Sequence, residues 1–416
     1  FFLKENIVAL IVGEILYFSC SFILYWHTTS QSYALANFLF MLAVYFYSRS
    51  KDVDRKRFFL SGLFLGLSIS VKLFYLPTAF LLWVIKLIKD LGRKDLGQFL
   101  FFSFGIVAGM LPFIIFLFID WQRTVFGNIY YHLNRTDFSP VSESVRDLRI
   151  FSVLLGFKST PKFAVHQAQI LSWFLLLLGL FFILRDRKKL VTPLYLVSFF
   201  LFVSIFIPSP SYLKYFAISA PFIIILFSEE LGSIFFKAKV SGGFFRQVGV
   251  YLLLFSVGVV WFTGVAKDFT KYTRSGEGVI GIGSKRNAPN WRVKVVDEVG
   301  RYTEVLLRKR GGKVLPYDWA GYFLGHDVAI LQGYETRFSY VAALKLSLRE
   351  RQRFKVKSFK DFRDEVKGGK AEVIVISPGK FSKELNHLLN SSGYRFRKRV
   401  RGILIFEKNR IVRVLD

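Results

Sequence analysis

Two apolar runs separated by a single lysine constrain the fold of this chain more than any other feature. The runs span 58–71 and 73–89, with Lys72 between them and Pro77 shortly after the break. Lysine and arginine cluster on the outer flank of each run, and such residues favour the cytoplasmic side of a membrane. Lys72 is therefore predicted at the tip of a helical hairpin on the far side of the bilayer. Its amine can snorkel to the interface there or face an anionic lipid headgroup.

Further apolar runs extend this pattern to about nine predicted membrane spans. Besides the two runs of the hairpin, they lie at 7–26, 33–47, 99–119, 167–184, 190–207, 212–228 and 248–264. The basic loops between them all fall on one predicted side. Gly105 and Gly109 lie four residues apart in one span, which predicts close packing against another helix.

The predicted fold is mainly α, with two domains. Residues 1–264 form a polytopic transmembrane helical bundle whose segment 120–166 lies outside, in the membrane interface. Residues 265–416 are predicted to form a soluble extracytoplasmic α/β domain. Its strand patterns lie at 313–317, 371–377, 394–400 and 403–407, and its helical patterns at 290–308 and 381–391.

Net charge and cysteine content limit the classes of ligand and of metal site that the chain can have. The formal net charge is +29, which for a membrane-bound chain predicts contact with lipid phosphates or an anionic glycan rather than with nucleic acid. The single cysteine, Cys20, excludes an intrachain disulfide and a cysteine-rich metal site. No cofactor is predicted, and a divalent metal ion stays an open alternative.

Polar residues at the predicted outer face are the candidate site. They are Lys72 and Tyr75 in the hairpin, the segment 130–137 with His132 and Arg135, His166, and the segment 208–215 with Lys214 and Tyr215. His132 and Arg135 are three residues apart on a predicted helix, so they share a face and can clamp one phosphate. An aromatic and basic interface belt without a ligand is the alternative.

Several of these stretches resemble a known class of enzymes. The segments 62–77, 130–135 and 212–215, together with Pro221 and the α/β tail, are similar to polytopic glycosyltransferases of the GT-C class. The nearest groups are the protein O-mannosyltransferases and the aminoarabinose transferases of lipid A. The resemblance implies transfer of a sugar from a polyprenyl-phosphate donor to a lipid, glycan or protein acceptor on the outer face of the cell membrane. The substrate-binding residues would be Lys72, Tyr75, His132, Arg135, Lys214 and Tyr215.

The chain departs from the GT-C pattern at two positions. The family often has arginine where this chain has Lys214. A lysine keeps the positive charge at this position, but its amine cannot bind two phosphate oxygens at once as a guanidinium can. GT-C enzymes carry an acidic base in the first extracytoplasmic loop, and the predicted loop 26–32 contains neither aspartate nor glutamate. We therefore expect a further hairpin upstream of Phe1 to carry the base. The substitutes within the chain are Asp120, Asp137 and Glu143.

Other functions remain open at the level of sequence. A transporter fits the bundle and the carboxyl of Glu14 within the first span, although no internal repeat is visible. A ligase that moves whole glycans would use the same basic residues. A non-catalytic scaffold with a glycan-binding outer domain is the third alternative. The sequence identifies neither the sugar nor the acceptor.

Overall fold

The chain folds into two compact units. The computed structural model describes residues 7–28, 32–50, 54–93, 96–131, 143–158, 165–207, 213–241, 243–275, 293–335 and 343–409. The first unit is drawn from Phe1–Ile119 and Pro140–Lys271, and the second from Asp120–Ser139 and Tyr272–Asp416. The division predicted after residue 264 stays a prediction.

The first unit is built of α-helices. They are α1 (Ile7–Phe18), α2 (Ser21–Thr28), α3 (Tyr33–Arg49), α4 (Arg55–Val71), α5 (Leu76–Gly92), α6 (Gly97–Ile119), α8 (Glu143–Leu154), α9 (His166–Arg185), α10 (Pro193–Ser204), α11 (Phe216–Ser241) and α12 (Phe244–Ser275). Short 3₁₀ turns occur at Leu73–Tyr75, Arg187–Val191 and Leu213–Tyr215. A large aromatic and aliphatic core joins these helices, with Phe40, Leu65, Leu171 and Phe222 among its fully buried members.

Four apolar helices make this chain a membrane protein. Among the described residues, Gly97–Ile119, His166–Arg185, Leu213–Val240 and Phe244–Thr270 are long and apolar enough to cross a bilayer. The helices Ile7–Phe18 and Pro193–Ser204 are apolar but shorter. The total of about nine spans stays a prediction.

The first predicted span, 7–26, is not one continuous helix. It breaks after Phe18, because the N–H group of Cys20 bonds to the carbonyl oxygen of Tyr17 at 3.2 Å and tightens the last turn. The N–H group of Ser21 then donates to Oε1 of Gln167 at 2.7 Å instead of continuing the helix. The first predicted span is therefore formed by two helices, α1 and α2, and its crossing of the membrane stays a prediction. Glu14, on α1, is exposed rather than buried in the bundle.

Two pairs of glycines bring the backbones of α4 and α6 into contact. Gly62 and Gly66 lie on α4, and Gly105 and Gly109 lie on α6. A Cβ atom added to any of the four would overlap backbone atoms of the facing helix. Ser70 adds a hydrogen bond across the pair, from Oγ to the carbonyl oxygen of Gly109 at 3.0 Å. The close packing predicted from Gly105 and Gly109 is confirmed, and α4 is the partner.

The second unit contains a four-stranded sheet. Its elements are α7 (Trp121–Val125), α13 (Val293–Arg310), β1 (Val314–Pro316), α14 (Leu348–Phe354), α15 (Phe359–Lys367), β2 (Val373–Ile376), α16 (Lys383–Ser391), β3 (Tyr394–Val400) and β4 (Ile403–Lys408). The strand order is β1-β2-β4-β3, with β1 parallel to β2 and the other pairs antiparallel. The strands and helices predicted for this part of the chain are confirmed, with ends shifted by a few residues.

Side chains that alternate along β1, β2 and β4 are buried on both faces of the sheet, whereas most of the edge strand β3 is exposed. Val373 and Val375 face a cluster that includes Val299 and Leu306 of α13. The neighbouring residues of β2 face the opposite cluster, which contains Phe362 of α15. The unit is therefore a three-layer α/β/α arrangement, and the loops after β1 and β2 open at the same edge of the sheet because these strands are parallel.

Candidate functional site

Lys72 ends α4 and lies at the turn that the sequence predicts. Its backbone is extended, with φ of −156° and ψ of 106°, while its N–H group still donates to the carbonyl oxygen of Ser68 at 2.9 Å. A 3₁₀ turn follows, and α5 begins with Pro77 in its first turn. The half-buried Lys72 amine lies 3.4 Å from the centroid of the Tyr33 ring, which is a cation–π contact. The predicted break between the two apolar runs is confirmed.

Lys214 is brought to the same place from a distant part of the chain. The rings of Phe74 and Tyr215 pack with centroids 4.9 Å apart, and this contact joins the turn after Lys72 to the turn that contains Lys214. Lys214 Nζ lies 5.7 Å from the centroid of the Tyr215 ring. Its charge also repels the Lys72 ammonium. We call Lys72, Lys214 and the rings of Tyr33, Phe74 and Tyr215 the lysine corner.

Tyr75 begins a set of buried hydrogen bonds beneath the lysine corner. Its side chain is fully buried, and its hydroxyl donates a hydrogen bond to Oδ1 of Asn37. Asn37 in turn donates from Nδ2 to the carbonyl oxygen of Ala217 at 2.9 Å and contacts Nε2 of His27 at the same distance. These bonds connect the segments that carry Lys72 and Lys214. Substrate binding by Tyr75 and Tyr215 stays a prediction, and both side chains are buried here.

The other predicted site residues are not part of this corner as far as the structure describes them. His132, Arg135 and Asp137 lie outside the described residues. Glu143 is the first residue of α8, and its side chain is not among those described. Asp120 caps α7, since its carboxylate accepts from the N–H group of Arg123 at 3.1 Å and lies 3.4 Å from Nε of the same residue.

A second polar cluster, around Asp268, was missed by sequence reasoning. Asp268 lies on α12 and is fully buried, and its Oδ1 accepts from the N–H group of His166 at 3.0 Å and from Nδ1 of the same residue at 2.7 Å. Its Oδ2 accepts from the N–H group of Gln167 at 3.0 Å and from the Ser21 hydroxyl at 3.5 Å. Asp268 thus caps the start of α9 from another helix. Sequence reasoning singled out only His166, because no local pattern marks an aspartate that caps a helix about a hundred residues away.

Replacing Asp268 by alanine is expected to lower the free energy of unfolding by roughly 1–3 kcal/mol, because the buried N–H groups of α9 lose their acceptor. The measurement is chemical unfolding of the purified protein in lipid nanodiscs. His166→Ala is the control, since its side chain is 40% exposed and its loss leaves the Asp268 carboxylate in place as the acceptor for the backbone N–H groups of α9. Equal stability of the Asp268 variant and the unmodified chain would contradict the capping role.

No family model matches the sequence, and no curated protein matches it. A solved structure with a similar arrangement is ArnT from Cupriavidus metallidurans bound to undecaprenyl phosphate. The identity is 13% and the TM-score is 0.47, over 89% of this chain and 73% of the ArnT chain. A likeness at this level carries no argument about what this protein does.

No described group of three or more histidine, cysteine, aspartate or glutamate side chains is arranged to hold a metal ion. Two polar clusters of the first unit, the lysine corner and the Asp268 cluster, can be compared as candidate sites. The first combines two cations with aromatic rings, which suits an anion attached to an apolar body. The second is a fully bonded cap and has a structural role.

Proposed function

We propose that this protein is a membrane glycosyltransferase that takes a sugar from a polyprenyl-phosphate-linked donor. The acceptor would be a lipid, glycan or protein hydroxyl on the outer face of the cell membrane. The observation that supports this proposal best is the lysine corner, where the Lys72 amine lies on the Tyr33 ring and the Phe74–Tyr215 contact joins its turn to the turn that contains Lys214. The predicted topology with about nine spans and an extracytoplasmic C-terminal domain belongs to the same proposal.

The chemistry of such a transfer explains why a pair of lysines is useful. The acceptor oxygen attacks the anomeric carbon, the bond between that carbon and the phosphate oxygen breaks, and the polyprenyl phosphate leaves as an anion. Fixed cations stabilise the negative charge that develops on the leaving group. Within the described residues Lys72 has no carboxylate partner, so a bound phosphate would offset its repulsion by Lys214.

The remaining roles belong to the same proposal. His132 and Arg135 would add to the phosphate side of the site. The base that removes the proton of the acceptor hydroxyl is not assigned to a described residue. Asp137 and Glu143 stay substitutes for it, whereas the carboxylate of Asp120 is already bonded as a helix cap.

The first test is binding of undecaprenyl phosphate to the protein in nanodiscs, with undecaprenol as the uncharged comparison. We expect the phosphate to bind at least about tenfold more tightly than the alcohol. Lys72→Gln and Lys214→Gln should each reduce phosphate affinity about tenfold or more, because each removes a charge-assisted contact of roughly 1.5–3 kcal/mol. Lys89→Gln, an exposed lysine on α5, is the matched control.

If undecaprenyl phosphate and undecaprenol bind with equal affinity, the lysine corner does not bind the phosphate of a donor. The same conclusion follows if Lys72→Gln and Lys214→Gln both bind undecaprenyl phosphate as the unmodified chain does. Turnover is then tested separately, by release of polyprenyl phosphate from a panel of polyprenyl-phosphate sugars. Binding without release across that panel would favour a non-catalytic membrane scaffold.

A further inference from the structure

A cavity of about 740 Å³ opens in the second unit, beside the ends of two parallel strands. Tyr317 and Asp318, which directly follow β1, line it, and so does Lys380, which follows β2. Ligands of open α/β sheets bind in the crevice outside the carboxyl ends of parallel strands. The position and volume of the cavity are those of a small-molecule site.

Aromatic side chains form one wall of the cavity and hold one another in place. The rings of Tyr317 and Phe362 pack edge to face with centroids 4.8 Å apart, and Phe359 lies 6.0 Å from Tyr317. Leu385 and Leu388 of α16 continue the apolar surface. Because these rings are fixed by packing, a flat apolar face of a ligand can be bound with little loss of side-chain freedom.

The acidic residues of the cavity already have partners. Oδ1 of Asp318 accepts from the N–H group of Ser377 at 3.0 Å, and its Oδ2 lies 3.5 Å from the Tyr322 hydroxyl. This aspartate therefore ties the end of β1 to the end of β2. Glu384 lies in the first turn of α16, and hydrogen bonds from the Ser382 side chain and its own backbone hold its pKa below the usual value.

The basic residues of the cavity are not paired in this way. Arg363 and Lys380 are exposed, and neither makes an ion pair or a side-chain hydrogen bond in the part of the chain that the structure describes. They are therefore available to a ligand with a negative group. The oxygens of Ser382 and Glu384 can at the same time accept hydrogen bonds from ligand hydroxyls.

We propose that this cavity binds a saccharide that carries a phosphate or a carboxylate. The sugar ring packs against Tyr317 and Phe359, its hydroxyls donate to Ser382 and Glu384, and the anionic group binds Arg363 and Lys380. The planar guanidinium of Arg363 suits both kinds of anion, because its N–H groups match two oxygens at once. This site lies within the second unit and does not depend on sugar transfer at the lysine corner.

The test is a titration of the full-length protein in nanodiscs, without any polyprenyl donor. The probes are glucose 6-phosphate, glucuronate, glucose, inorganic phosphate and AMP, with binding measured by calorimetry. We expect glucose 6-phosphate and glucuronate to bind at least about tenfold more tightly than the other three. Arg363→Gln and Lys380→Gln should each weaken their binding by about tenfold. Lys360→Gln is the matched control, an exposed lysine on α15 outside the cavity.

Three results would overturn this proposal. Inorganic phosphate that binds as tightly as glucose 6-phosphate would show a simple anion site, and AMP that binds more tightly would show a nucleotide site. Unchanged affinity in both cavity variants would place the sugar elsewhere. Since the lysine corner is tested with undecaprenyl phosphate, either hypothesis can fail without the other.

Discussion

Leucine in place of Gly105 is expected to separate α4 from α6 and to leave most of the protein aggregated after extraction. The added side chain would meet the backbone of α4 around Gly62, which cannot move aside as a flexible side chain can. Overpacking in a core usually costs about 1–3 kcal/mol, and we expect more than about 3 kcal/mol here because backbone opposes backbone. Size-exclusion chromatography and thermal unfolding of the detergent-extracted protein measure the effect.

Gly249 supplies the matched control for this substitution. It also lies within an apolar helix, α12, but nothing approaches the position of its missing Cβ. Gly249→Leu should therefore elute as a single species with nearly unchanged stability. A Gly105→Leu protein that behaves in the same way would show that α4 and α6 do not pack through their backbones.

Removal of either partner of the buried Lys86–Asp90 pair should lower the free energy of unfolding by roughly 3–5 kcal/mol. Both side chains are almost fully buried, and Lys86 Nζ lies 2.8 Å from Oδ1 of Asp90 and 2.8 Å from Oε1 of Gln98. The same amine lies 3.5 Å from the centroid of the Phe58 ring. Asp90→Ala would leave this ammonium group buried without its counter-charge, which is the most costly change that we identify in the first unit.

A double-mutant cycle separates the pair from the packing around it. The cycle consists of the unmodified chain, Lys86→Met, Asp90→Leu and the variant with both changes, which removes both charges and keeps much of the volume. The double variant should lose less stability than either single variant, because each single variant leaves one buried charge without its partner. Unfolding titrations in detergent micelles give the four free energies. If the stability losses of the two single variants add up to the loss of the double variant, the two side chains do not stabilise each other in the folded protein.

Features that depend on nearby residues could be predicted from the sequence. The continuous apolar run within 371–377 predicts the buried strand β2, and Lys72 between two apolar runs predicts the turn between α4 and α5. Gly105 and Gly109 predict a close helix contact, although only the structure shows that Gly62 and Gly66 face them. In each case the cause lies within one turn or one strand of its effect.

Features that depend on distant residues could not be predicted. The break in the first predicted span is fixed by Gln167, and Asp268 bonds to His166 from a different helix. The lysine corner is an intermediate case, because the sequence identifies Lys72 and Lys214 as candidates but not the Phe74–Tyr215 contact that joins them. The cavity beside β1 and β2 was not predicted, because its lining comes from four separate segments.

The break between α1 and α2 also has a consequence for synthesis of the chain. Ser21 bonds to Gln167, which lies 146 residues later, and to Asp268, which lies 247 residues later. Until Gln167 and Asp268 have been synthesised, the N–H group of Ser21 lacks its Gln167 acceptor and the Ser21 hydroxyl lacks both of its acceptors. The break between α1 and α2 therefore reaches its final shape only after α9 and α12 have been made and have entered the bundle.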